Sequence, residues 1–334
     1  MLYWSQNFPR PRPAGRRNRV PEIVTLGESM AVLTPRTSEP LRYVTELSVR
    51  VAGAESNFAI GVQKLGHSAG WVSRLGDDEL GHLVLNRVRA EGVDTSRVVM
   101  DRARPTGLML KDTSLRETKI FYYRENSAAS RLAPEDLDET YIAGAKLLHL
   151  TGVTPALSDS CLAAARRAAK TARAHGVTVS FDPNIRRKLW KERDFRPALL
   201  ELLGEADVVL IGLDEAGLLF NTKDAETAFA AVFSHSRAKA AAVKHGANGA
   251  WISDGKTAEK LPPFEARCVD PVGAGDAFDA GFVAGLLEGR PLHDCGRMGG
   301  IMGAMAVQTT GDTEGLPSRE ELLRCLEGRE TAYR

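Results

Sequence analysis

The chain has 334 residues, 43% hydrophobic and 26% charged, with 31 glycines and 16 prolines; that composition can bury a large core and excludes collagen, coiled-coil and wholly disordered classes. Forty-four Lys and Arg against 43 Asp and Glu leave +1, yet Arg10, Arg12, Arg16, Arg17 and Arg19 stand in the first nineteen residues without an acid, so the remainder carries −4. A faintly acidic body excludes nucleic acid as the expected partner, since phosphate backbones select basic surfaces.

Residues 1–19 are rich in Pro and Arg with no apolar run behind the arginines, which predicts a disordered basic tail and no secretory signal. From Val20 onward short β-branched runs alternate with longer helical stretches. Strands are predicted at Glu22–Leu26, Ala69–Arg74, Lys146–Leu150, Val177–Phe181, Ala206–Ile211, Ala240–Val243 and Ala250–Ser253. Helices are predicted at Glu55–Leu65, Asp78–Glu91, Ser158–His175, Asp276–Glu288 and Leu292–Gln308. That rhythm predicts an α/β fold with a mostly parallel central sheet covered on both faces. Two stretches break it: 31–51 and 100–124 alternate like strands without helices between them, which predicts a small separate β lid.

No stretch approaches the roughly 18 apolar residues of a membrane span. Cys161, Cys268, Cys295 and Cys325 are scattered, with neither a CxxC pair nor zinc spacing, so four buried thiols in a cytoplasmic protein are expected. Asp254-Gly255-Lys256-Thr257 ends like a phosphate-binding loop, but no glycine stands five residues before Gly255, so a hairpin turn is the better reading. No G-x-G-x-x-G follows the first strand, which removes the best signal for a nicotinamide enzyme.

Chemistry is carried by Asp270-Pro271-Val272-Gly273-Ala274-Gly275-Asp276-Ala277-Phe278. Small residues at 273–275 let backbone amides converge on an anion, and the helix that begins there adds its positive end. Asp276 in the first turn could take a proton from an alcohol while the amides hold phosphoryl oxygens. A glycine loop with an acidic cap accounts for the same residues. Local chemistry leaves both readings open.

The string resembles the C-terminal signature of the ribokinase-like (PfkB) family of carbohydrate kinases. Ala52-Gly53-Ala54-Glu55-Ser56-Asn57-Phe58-Ala59 and Arg74-Leu75-Gly76-Asp77-Asp78-Glu79-Leu80-Gly81 resemble its N-terminal signature. With Asp182-Pro183-Asn184 and Lys244-His245-Gly246-Ala247-Asn248-Gly249, the motifs run in family order across nearly the whole chain. The resemblance implies a ribokinase-like three-layer sandwich over 20–334 with the lid above it. It implies Asp276 as general base and Gly273, Ala274 and Gly275 as the hole for the transferred phosphoryl group. Asn184, Lys244, Gly246 and Gly249, with Gly273 and Gly275, would lie along the nucleotide. Mg²⁺ is implied with ATP, Glu215 as an indirect contributor to its site, and a homodimer through the lid.

For the acceptor, the aspartate that sugar kinases of the family carry five places after Gly27 is Val32 here. Tyr122 and Arg124 share a strand face, and Arg grips a carboxylate with two parallel hydrogen bonds. The Tyr122-Tyr123-Arg124 segment, the run from Leu148 to Ser158 and the surroundings of Arg186 resemble 2-keto-3-deoxygluconate kinases. That likeness implies Gly53, Asn57, Tyr122, Arg124 and Arg186 around a sugar acid. Read by themselves, Arg124 is also compatible with a solvated lid edge, Asn57 with a helix cap, and Lys244 to Gly249 with a plain turn. Three family positions differ: Gly212 replaces the asparagine of N-x-x-E while Glu215 keeps its acid, Gly300 replaces an asparagine near the nucleotide, and Met109 stands where 2-keto-3-deoxygluconate kinases can place a tyrosine near the substrate. A kinase of a neutral sugar such as fructose or ribose, or a non-catalytic sugar-acid sensor, are the alternatives.

Overall fold

The computed structural model describes residues 20–37, 39–112 and 119–328. The basic tail predicted for 1–19 lies outside them. In chain order the strands are β1 (Ile23–Leu26), β2 (Met30–Pro35), β3 (Leu47–Ala52), β4 (Ala69–Gly76), β5 (Asp94–Asp101), β6 (Leu108–Asp112), β7 (Lys119–Tyr123), β8 (Leu147–Thr151), β9 (Thr178–Asp182), β10 (Val208–Gly212), β11 (Ala240–Lys244), β12 (Ala250–Ser253) and β13 (Ala258–Leu261). Nine form one sheet in the order β13-β12-β11-β10-β9-β8-β1-β4-β5. From β5 to β11 every pair is parallel, and β12 and β13 close the edge antiparallel.

Period-two alternation builds the layers. Val24, Leu26, Leu148, Leu150, Val209, Ile211 and Val243 enter one core with the helices Asp159–Ala174 and Arg196–Gly204. Ile23, Leu147, Val208, Leu210 and Ala242 enter the other with Ala54–Lys64, Ala274–Leu287 and Leu292–Ala306. Asp78 and Ser158, predicted as first helical residues, are the caps: their side chains accept from the amides of Gly81 at 2.7 Å and Cys161 at 3.1 Å, which satisfies donors a helix start leaves open. Asp254–Thr257 is the β12–β13 hairpin turn, with Gly255 at φ +84° and Asp254 Oδ1 accepting from the Lys256 and Thr257 amides.

The second sheet has four strands in the order β3-β2-β6-β7. Met100 and Asp101 belong to β5 of the large sheet, so the second stretch enters the small one at Leu108. One face packs Met30, Val32, Ala52 and Met109 together, with Ile120 against them. Register puts Leu33, Val49, Leu47, Leu110, Phe121 and Tyr123 on the other face, where Leu47, Val49, Phe121 and Tyr123 are exposed. Among the described residues no helix is long and apolar enough to cross a membrane. The four thiols are free, but only Cys161 and Cys295 are buried. Cys325 is intermediate, and Cys268 is exposed because it lies in the irregular connection after β13, a correction to the expectation of four buried cysteines.

Candidate active site

Parallel α/β sheets place ligands beyond the carboxyl ends of their strands, where the strand order reverses. Here β1 is followed by β4 and β5 on one side and by β8 to β11 on the other. A cleft of about 2480 Å³ opens at that edge, beneath the Met30–Met109 face of the small sheet. That volume exceeds a single small-ligand pocket, which holds roughly 300–1,000 Å³. Every residue singled out above lines it: Gly53, Asn57, Tyr122, Arg124, Asn184, Arg186, Glu215, Lys244, Gly246, Gly249 and Gly273 to Asp276.

The anion cradle is geometrically specified. Gly273 caps the helix Ala274–Leu287 with φ +83°, and a Cβ there would lie 2.6 Å from the Asp312 carbonyl oxygen. The first helical amides have no intrahelical acceptor, and the helix dipole adds positive potential where Gly273, Ala274 and Gly275 meet the cleft.

Asp276 follows as the third helical residue and is buried. Asn57 Nδ2 donates to its Oδ2 at 2.9 Å, and Asn184 Nδ2 to its Oδ1 at 3.5 Å. Burial pushes its pKa up to about 7; the Asn57 hydrogen bond and Arg186 oppose the rise, and Asp312 and Asp182 add to it. A carboxylate poised there accepts a proton near neutral pH far better than one at the ordinary value. Asn57 is therefore not a cap. The same Nδ2 donates to Asp312 Oδ2 at 3.2 Å, and burial raises the pKa of Asp312 as well.

Beneath the cradle Lys244 points Nζ at Asp182 Oδ2, 3.0 Å, and Asp279 Oδ1, 2.9 Å. Burial works against its charge, but Asp182, Asp279 and Glu215 outweigh that and hold it well above the usual lysine value. Burial also acts against the acids. Lys244 keeps Asp182 low, whereas burial raises Asp279 well above the ordinary range. Glu215 spends both oxygens on backbone: Oε2 accepts from Gly212 at 2.8 Å and Oε1 from Ile185 at 2.7 Å. It fastens the Asn184 loop to the end of β10. A side chain is missing at Gly212, where the helix Leu213–Phe220 begins without a side-chain cap.

Gly249, at φ +87°, lets the 244–249 turn lie against β13: a Cβ would come 2.2 Å from the Leu261 carbonyl oxygen. Gly246, at φ +52°, and Gly300 face open space.

At the acceptor end Gly53 allows the helix Ala54–Lys64 to start against the Glu28–Ser29 turn, where a Cβ would lie 2.4 Å from the Glu28 carbonyl oxygen. Tyr122 and Arg124 stay together, the guanidinium 5.7 Å from the ring centroid. Arg124 is not a free cation. It pairs with the fully buried carboxylate of Glu28, whose other oxygen accepts from Ser127 Oγ at 2.5 Å. The anion missing at Val32 is thus offset by one at Glu28, a residue the sequence reading passed over. Arg124 Nε is buried without a partner among the described residues. Nearby Glu55, also buried, accepts from Thr151 and Thr154 hydroxyls at 2.6 and 2.7 Å, and burial raises its pKa. Arg186 is exposed on the cleft wall.

Comparison with known proteins shows which family the chain belongs to. The model of the pfkB family of carbohydrate kinases matches residues 20–319. The chain belongs to that family. This carbohydrate kinase is 38% identical, over 93% of its length and 97% of the relative, to the 2-dehydro-3-deoxygluconokinase of Bacillus subtilis (strain 168). It superposes on the PfkB protein of Polaromonas sp. JS666 at TM-score 0.83 with 38% identity, covering 91% of this chain and 99% of that one. A protein described as ribokinase II from E. coli, solved in complex with ATP and Mg²⁺, matches at TM-score 0.86 with 25% identity, covering 93% of this chain and all of that one.

Proposed function

We propose that this kinase transfers the γ-phosphoryl group of ATP to the primary hydroxyl of 2-keto-3-deoxygluconate or a close sugar acid. The observation that carries the reading is Asp276, buried beside the Gly273–Gly275 cradle with a pKa near 7. In the transfer, the acceptor oxygen attacks the γ-phosphorus, its proton passes to an Asp276 oxygen, and the bond to the departing ADP oxygen breaks. The cradle amides and helix dipole hold the phosphoryl oxygens as charge develops on them. Asn57 and Asn184 orient the two oxygens of Asp276. Lys244, Gly246 and Gly249 serve the nucleotide, Lys244 by fixing the floor of the cradle through Asp182 and Asp279.

The donor set fits a magnesium ion held mainly by phosphates and water. No group of three or more acidic, His or Cys side chains among the described residues is arranged to hold a metal. Glu215 and Asp182 face the cleft with hard oxygens already engaged by amides and Lys244, so they would meet the ion through its water. Mg²⁺ supplies charge neutralisation across the transferred phosphates.

For the acceptor, Arg124 lines the cleft, Tyr122 covers it, and Arg186 adds a cation beside Asp276, with Gly53 and Asn57 at the floor. The 38% identity to a 2-dehydro-3-deoxygluconokinase supports this choice. One observation favours a neutral sugar instead: the Arg124 charge already has a counterion in Glu28. A screen of sugars and sugar acids with ATP and Mg²⁺, following ADP release, decides it. Fastest turnover on the keto acid is expected; a clear preference for fructose or ribose would reject the assignment, and acid binding without ADP release would make the protein a sensor.

The small sheet serves as the lid that excludes water, which competes as acceptor. We place a homodimer at its outer face, where Leu47, Val49, Phe121 and Tyr123 leave apolar area exposed. Phe121→Asp together with Tyr123→Asp should yield a monomer in sedimentation. A parent that sediments as a monomer would refute the dimer. Free thiols agree with a cytoplasmic setting.

A further inference from the structure

Strand β6 carries an ammonium group into the interior, where the transfer just described makes no use of it. Lys111 is 4% exposed. Its Nζ lies 3.0 Å from Asp270 Oδ2 and 3.8 Å from Asp312 Oδ1. Asp270 governs entry to the cradle, since its Oδ1 accepts from the Val272 amide at 3.2 Å, next to Gly273. Asp312 backs the same turn through its carbonyl oxygen, which a side chain at Gly273 would strike. Its Oδ2 shares the Asn57 amide with Asp276. A polar bridge therefore runs from the lid strand through Lys111, Asp270 and Asp312 to the cradle on one side and the base on the other.

Packing alone does not require a charge there. Two residues earlier on the same strand face, Met109 fills its place with an apolar side chain. Burying an ammonium costs several kcal/mol unless close anions compensate it, and Asp270 and Asp312 are those anions. Conversely, without the ammonium the buried Asp312 and the half-buried Asp270 would lack their cation, with a third carboxyl nearby at Asp276. The remaining charges near them are Glu314, paired with Arg50, and on the Asp276 side Asp182 and Arg186.

We propose that Lys111 is a positioning residue for phosphoryl transfer, bridging Asp270 and Asp312 so that cradle and base take their working arrangement when the lid strand is seated. The inference rests on Asp276 being the base. Its sign is fixed by the charges: removing the ammonium leaves Asp270 and Asp312 uncompensated, which disfavours ionised Asp276 and moves the acidic limb of the pH profile upward.

The test is Lys111→Met, checked for folding by circular dichroism and melting, then assayed with ATP, Mg²⁺ and the best acceptor across pH. Expected are a loss in kcat of about 10- to 100-fold, the scale of a small misplacement of reacting groups, a KM for ATP within about threefold, and an acidic limb displaced to higher pH. Lys111→Arg should return the limb to its parental position. A folded Lys111→Met with parental kcat and an unmoved limb overturns the proposal. If that variant does not fold, Lys111→Met with Asp312→Asn, which removes one charge of each sign, carries the test: reduced kcat with the limb near its parental pH supports the bridge, and parental kcat overturns it. Asp276→Asn is assayed in parallel. If it is inactive while Lys111→Met is normal, only the present inference fails; if it retains turnover, the base assignment fails and this inference with it.

Discussion

The large sheet and the small one handle charge differently. In the large sheet, Lys244 sits between Asp182 and Asp279 under the cradle, flanked by strands buried on both faces. In the small sheet, Arg124 and Lys111 reach from an element with one exposed face to acids outside that sheet: Glu28 after β1, and Asp270 and Asp312 around the cradle. A cation held between the large sheet and the helix Ala274–Leu287 packed on it can shape a catalytic floor. A cation bridging from the small sheet ties the cleft to where that sheet stands, and in the proposed reading that sheet covers the acceptor. The difference separates a transfer site fixed on the large sheet from the small-sheet cations that reach it, Arg124 toward the proposed acceptor and Lys111 toward the cradle.

The sharpest way to break that separation is Asp276→Asn. Loss of the base should lower kcat by about 10³-fold, within the usual range for general-base removal, on acid and neutral acceptors alike. The same change should stabilise the fold. The folded pKa of about 7 lies above the ordinary aspartate value of 3.8, so the carboxyl costs nothing below the unfolded value and its full penalty only above pH 7. At 1.36 kcal/mol per unit the gain for asparagine is at most about 4 kcal/mol at pH 8 and small at pH 4. Equal melting shifts at both pH values would contradict the buried, raised carboxyl.

Arg124→Ala addresses the other side. It should raise KM for the keto acid by about 10- to 100-fold, the worth of a charge-assisted hydrogen-bonded pair, and KM for fructose by less than about threefold. Truncation also strands the buried Glu28 carboxylate, so a melting loss of about 3 kcal/mol or more is expected. Adding Glu28→Gln should recover stability without recovering acid affinity; recovery of both would mean that Arg124 serves structure alone. A milder probe is the pH profile of kcat/KM, where one acidic limb near pH 7 is expected and a limb near pH 4 would remove the raised Asp276. The smallest effect belongs to Gly300→Asn. Its side chain would enter open space at the cleft, and a two- to fivefold lower KM for ATP is expected, on the order of one net hydrogen bond. An unchanged KM would detach that position from the nucleotide.

Much of the site was legible because its chemistry is local. Gly273-Ala274-Gly275-Asp276 carries turn, helix start and carboxylate in one string, and strand alternation placed Tyr122 and Arg124 together. The partners were not legible. Glu28 lies 96 residues before Arg124, and Lys111 and Asp312 are 201 apart, so nothing in a window of sequence brings them together. Asp279 gave a usable signal, standing one helical turn beyond Asp276. Lys111 also gave one: it is a lysine on the strand face where Met109 is buried. Glu28 stayed hidden for the same reason, since it sits in a turn whose direction depends on the close approach of Gly53.

The claim that Arg124 on the small sheet selects an acid, apart from the transfer chemistry at Asp276, is tested most directly by one ratio, kcat/KM for 2-keto-3-deoxygluconate over kcat/KM for fructose, in the parent and in Arg124→Ala/Glu28→Gln. The account predicts a parental ratio well above one that falls by about 10-fold or more in the variant, with kcat on fructose nearly unchanged. A ratio that is the same in both proteins would contradict it.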